Sequence, residues 1–114
     1  MKAETLAQAL DMEVLTPEMA SWDVQLKGCY IGDLLSNVMG NAQSGQLWLT
    51  VMTNINVVAV AHLLELAGIV LLEGNRPDKD VPERAAMEGI PVFLSTDTAY
   101  DAAVRVYTSG LVKS

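Results

Sequence analysis

The chain has a single cysteine, Cys29, so an internal disulfide is excluded. A lone thiol points to a reducing compartment. Histidine is equally scarce: His62 stands alone, and a transition-metal site needs several such ligands. Long apolar runs are missing too. The longest, Val57 to Leu64, is interrupted by His62 and falls far short of the roughly 20 residues that cross a bilayer. The opening Met1-Lys2-Ala3-Glu4 leads into a mixed segment, unlike a secretory leader. A cytoplasmic protein without a membrane partner is expected. Bases are few, with seven Lys and Arg against fourteen Asp and Glu, a net charge of −7. Such a field repels polyanions, so no nucleic-acid partner is expected. Repeats, low-complexity tracts, a Walker loop and a GxGxxG run are all absent from the sequence, and with them a standard nucleotide loop. No cofactor is implied.

What remains is a chain of 114 residues, 51% apolar, with a mean hydropathy of +0.28. That length fits one domain, residues 1–114, and the composition supplies a core for it. The apolar periods alternate between short runs and longer helical ones. Ala3 to Met12 reads as a helix with Leu6, Ala7 and Leu10 on one face. Glu13 to Thr16 reads as a short strand, and Trp22 to Ile31 as a strand with one covered face. Asp33 is placed to cap a short helix that stops at Gly40. Three nearly all-apolar runs, Leu47–Met52, Ile69–Leu72 and Ile90–Leu94, suit strands buried on both faces. Helical patterns separate and follow them: one from the Asn54–Asn56 turn to Ala67, ended by Gly68; one near Pro82, ended by Gly89; and one from Ala99 to Ser109. Buried strands joined by helices imply βαβ crossovers. The expected fold is a small layered α/β domain with a mostly parallel sheet of about five strands flanked by helices.

Ligands of open parallel sheets bind beyond the carboxyl ends of the strands. Three turns fall on that edge: Thr53-Asn54-Ile55-Asn56, Glu73-Gly74-Asn75-Arg76 and Ser95-Thr96-Asp97-Thr98. The candidate ligand-binding residues are therefore Thr53, Asn54, Asn56, Glu73, Gly74, Asn75, Arg76, Ser95, Thr96, Asp97 and Thr98. Gly74 permits a positive φ or a close backbone approach. Arg76 offers a bidentate contact to phosphate or carboxylate, against a plainer pairing with Asp78 or Asp80. The Ser95–Asp97 hydroxyls and carboxylate read first as caps of their own helix. His62 reads as a helix-face residue at a packing seam, Cys29 as a small buried hydrophobe. Asp78, Asp80, Glu83 and Glu88 read as solvated acidic surface, and no catalytic or metal-binding residue is assigned.

Beyond these patterns, Leu47–Leu111 resembles the DRTGG domain, and Gly28–Met39 resembles the segment preceding its core. The likeness rests on the Gly28–Ser36 run, Leu47-Trp48-Leu49-Thr50, Ala67-Gly68-Ile69-Val70-Leu71, and Gly89-Ile90-Pro91-Val92 followed by Ser95–Thr98. At the positions that name the family stand Thr53-Asn54-Ile55 and Leu72-Glu73-Gly74-Asn75, which keep only Gly74. The resemblance implies a fold like the N-terminal domain of HPr kinase/phosphorylase and a regulatory role without catalytic residues. It also implies a homodimer that senses a nucleotide or small anionic metabolite. The alternative it implies is an adaptor for a hydrogenase-associated redox system or a kinase-linked complex, with no small ligand.

Overall fold

The computed structural model describes residues 2–17 and 25–112. The three apolar runs form the centre of one five-stranded sheet, ordered β1-β5-β4-β3-β2. Here β1 is Glu13–Val14, β2 Cys29–Ile31, β3 Leu47–Thr50, β4 Gly68–Leu71 and β5 Val92–Leu94. Strands β2 to β5 are parallel, with Trp48 opposite Ile69 and Val70 opposite Phe93. Every residue of β3, β4 and β5 is buried. This is why their sequences are apolar throughout instead of alternating. β1 closes one side of the sheet antiparallel to β5.

Each parallel step moves to the next strand in the same direction. Right-handed crossovers then place all three linking helices on one face. These are α2 (Leu35–Asn41), α3 (Asn56–Leu63) and α4 (Val81–Met87). Their Val38, Val57, Val58, Ala61, Val81 and Ala85 pack with Trp48, Ile69, Leu71 and Val92 in one core cluster. Among the described residues the opposite face carries two helices, α1 (Ala3–Ala9) and α5 (Ala99–Thr108). Leu6 and Ala7 of α1, Leu10 just after it, and Ala102 and Val106 of α5 meet Leu47, Leu49, Val70 and Phe93 there. The domain is thus three-layered, and the expected α/β fold with a mostly parallel five-stranded sheet is what forms.

Three local expectations are corrected. The strand expected over Trp22–Ile31 is only Cys29–Ile31 in its described part, with an isolated bridge from Leu26 to Val112. Residues 22–24 lie outside the described residues. α2 runs through Gly40 to Asn41, so that glycine does not stop it. Gly68 does not end α3 either. That helix closes with Glu65 at φ 55°. The Glu65 N–H donates to the His62 carbonyl and the Leu66 N–H to the Ala61 carbonyl, which is the Schellman arrangement. A glutamate takes the left-handed position here, so composition alone misplaces the helix end. Gly68 instead opens β4.

Candidate functional site

The parallel strands end together, so the three turns do meet on one edge. Backbone hydrogen bonds stitch them. The Glu73 N–H donates to the Asp97 carbonyl and the Gly74 N–H to the Ser95 carbonyl, at 3.0 and 2.9 Å. The Asp78 N–H donates to the Thr53 carbonyl at 2.9 Å. Leu72 to Asn75 form a tight turn closed by the Asn75 N–H on the Leu72 carbonyl. Glu73 and Gly74 at its centre have φ of 58° and 70°. Two successive positive φ values define a type I′ turn, which explains the glycine.

Several polar groups of the edge are spent on the edge itself. Ser95 is buried, and its Oγ accepts the Asp97 N–H at 3.0 Å. Thr98, rather than Ser95, Thr96 or Asp97, caps α5 by accepting the Asp101 N–H. Neither Asn54 nor Asn56 caps α3 with its side chain. Asn54 Oδ1 instead accepts the Asn56 N–H at 2.9 Å. The Asn75 side-chain amide donates to the Leu72 carbonyl. Asp97 Oδ2 accepts from Arg105 Nε at 2.6 Å. That hydrogen bond, and then the Asp97 charge, push the Arg105 guanidinium above its ordinary pKa. Asp97 therefore turns toward its own helix. Arg76 pairs with neither Asp78 nor Asp80 but with Glu13, at 3.4 Å between two exposed side chains. A pair that long and wet leaves the guanidinium largely available. Asn56, Arg76 and Thr96 present exposed side chains around the edge.

One residue of this edge was read otherwise from sequence. Asp33 does not cap α2, whose N-cap is Leu34 without a side-chain bond. Its Oδ1 accepts from Thr50 Oγ1 at 2.7 Å and from the Val51 N–H at 2.9 Å. Thr50 is itself buried, so the carboxylate satisfies two groups where β3 ends. Ile31 pairs with Leu49, so the residues just past β2 come level with the end of β3, a placement that no sequence pattern carries. Asp33→Ala should cost about 2 kcal/mol, because a buried hydroxyl and a backbone N–H lose a charged acceptor. Asp33→Asn should cost less than half of that. Urea unfolding of the three proteins checks both, and equal losses would refute the acceptor role.

Away from the edge, a cavity of about 530 Å³ lies between α3 and α4. Val58 and Leu63 give it apolar walls, and Asn56, His62, Arg84 and Glu88 its polar ones. His62 Nδ1 stands 3.4 Å from Glu88, which also lies 4.0 Å from Arg84. This cavity touches the three turns only through Ile55 and Asn56. Cys29 packs in the α1–α5 cluster, and burial pushes its thiol pKa up. His62 rides on α3, which covers the other face, so the sheet separates this thiol from the imidazole. Among the described residues no three His, Cys, Asp or Glu side chains gather as a metal site would require, and no helix is long and apolar enough to cross a membrane.

No protein-family model matches the chain, and no curated protein matches it. The architecture is that of a small three-layer α/β domain. In fold it is similar to the CBS and DRTGG domain region of Clostridium perfringens pyrophosphatase, solved in complex with the activator diadenosine tetraphosphate. The TM-score is 0.76 at 14% identity, over 95% of this chain and 46% of that one. The chain thus spans a little under half of that regulatory structure, and at this identity the likeness is one of fold.

Proposed function

We propose that residues 1–114 form a single DRTGG-like regulatory domain of the cytoplasm, without catalytic machinery. It self-associates and senses a small anionic metabolite or nucleotide at the carboxyl edge of its sheet. The observation that carries this reading is the stitched edge, where three strand ends converge and Arg76 stands exposed with one long ion pair. Asn56 and Thr96 flank the same edge as further donors. The separation of Cys29 from His62 supports a binding role over a nucleophilic one, since a thiol needs a base within hydrogen-bond reach. The regulatory neighbour in fold supports the choice of nucleotides as first probes.

Thermal unfolding in millimolar nucleotides and acyl phosphates tests the sensing. A ligand at a hundred times its Kd stabilises by about 2.7 kcal/mol, which shifts the midpoint by several degrees. Arg76→Ala should lose about tenfold in affinity without losing stability. No shift with any probe would refute sensing and leave self-association standing. A second reading, an adaptor in a redox or kinase-linked complex, is favoured by the exposed Tyr100 and Tyr107 of α5. Retention of one stoichiometric protein from native lysate, by a chain indifferent to nucleotides, would select it.

A further inference from the structure

Among the described residues the two faces of the sheet are covered unequally. Three helices lie on one face, while α1 and α5 share the other. α1 packs on β1, and α5 crosses β3 and β2. Helix α5 is oriented by its two flanks. Ala102 and Val106 point into the core. On one flank Arg105 reaches Asp97 and, at 3.9 Å, Asp11 at the end of α1. At 100° per residue Tyr100, Val104 and Tyr107, spaced by four and three residues, form a flank on the outward side, about 150° from the buried direction. That flank looks away from α1. Its residues are exposed to 77%, 43% and 86%. Ile31 of edge strand β2 and Val51, just past the end of β3, are exposed to 47% and 38%. Ile31 shares a sheet face with Cys29, two residues earlier, and Cys29 packs in the α1–α5 cluster. The least covered part of the sheet and the apolar flank of α5 thus belong to the same layer.

We infer that this α5 flank is the surface on which a second copy of the chain docks, with the two α5 helices antiparallel about a twofold axis at Val104. The inference rests on the self-association proposed above and names its surface. The stripe is self-complementary. Tyr100 and Tyr107 stand on either side of Val104, so an antiparallel partner sets Tyr100 against the partner's Tyr107 and Val104 against the partner's Val104. This is the isologous arrangement a twofold dimer requires. The three helix residues with Ile31 and Val51 offer on the order of 500 Å² per copy, about 1,000 Å² for the pair. That reaches the lower bound of specific interfaces and predicts a weak, concentration-dependent dimer. None of the five side chains is charged, while each copy carries −7. Repulsion between copies is therefore long-range and screened by salt, so the dimer should tighten as ionic strength rises.

Sedimentation equilibrium of the full chain tests this at low and high salt, for wild type and Val104→Asp. Circular dichroism checks that the variant keeps its fold, as a partly exposed position allows. The expected result is a wild-type dimer that strengthens with salt and a folded, monomeric variant. A Cys29→Ala, Val104→Cys chain should form an intermolecular disulfide under mild oxidation, because the axis brings the two cysteines together. A wild-type dimer that survives Val104→Asp and fails to cross-link would overturn this surface and leave self-association intact. A wild type monomeric at every concentration and salt would overturn both.

Discussion

Trp48→Ala should lower the free energy of unfolding by about 3–5 kcal/mol. For a domain of this length that is a fifth or more of the ~5–15 kcal/mol usually available. Trp48 is fully buried at the middle of β3 and packs with the α2, α3 and α4 side chains. Its loss leaves a cavity in the cluster that those helices cover. The indole also has a polar duty. Nε1–H donates to the Gly32 carbonyl at 2.9 Å, one residue before Asp33 accepts from Thr50 and Val51. Three bonds, all donated from the β3 side, therefore lock the residues just past β2 to β3. Trp48→Phe separates the contributions, because it keeps an aromatic ring and removes the donor. It should cost roughly 1–3 kcal/mol, as the Gly32 carbonyl loses its partner and a smaller void opens. Urea unfolding followed by circular dichroism reads both variants. A Trp48→Ala loss below about 1 kcal/mol would show that the core around it collapses freely.

Strands β3, β4 and β5 were legible in the sequence because burial on both faces forces unbroken apolar runs. Their shared direction followed from the helices between them, and with it the meeting of the three turns at one edge. What escaped were facts that depend on distant neighbours. Asp33 sits before a helix and resembles a cap, but its acceptor role appears only once β2 and β3 end side by side. Arg76 stands among Asp78 and Asp80 in sequence, yet Glu13 on the antiparallel edge strand is its partner. β1 reaches that place only by pairing with β5. The His62–Glu88 contact likewise joins two helices whose separation in sequence hides it. Helix ends were misread where Glu65, not glycine, takes the left-handed position.

Gly68→Val should cost about 3 kcal/mol, and Gly68→Ala roughly half as much. Gly68 lies in β4 beside β5, and it does not carry the positive φ of Gly74 or Gly89. Its requirement is space. A Cβ added there would stand 3.1 Å from the Pro91 carbonyl oxygen and 3.2 Å from both the Phe93 ring and Pro91 Cγ. None of these neighbours gives way easily. The Pro91 carbonyl accepts the Ile69 N–H at 3.0 Å, so its retreat breaks the ladder between the two strands. Phe93 is fully buried in the α1–α5 cluster and is held by its packing. At Gly74, by contrast, an added Cβ meets nothing within 4 Å. Gly74→Ala should therefore cost only the left-handed penalty of about 1 kcal/mol. Coupling separates the two causes. Phe93→Leu removes one of the three obstacles to Gly68→Ala, so the double variant should be more stable than additivity allows, while Phe93→Leu with Gly74→Ala should add. Additivity in both pairs would mean that the strand, not the ring, absorbs the new methyl group.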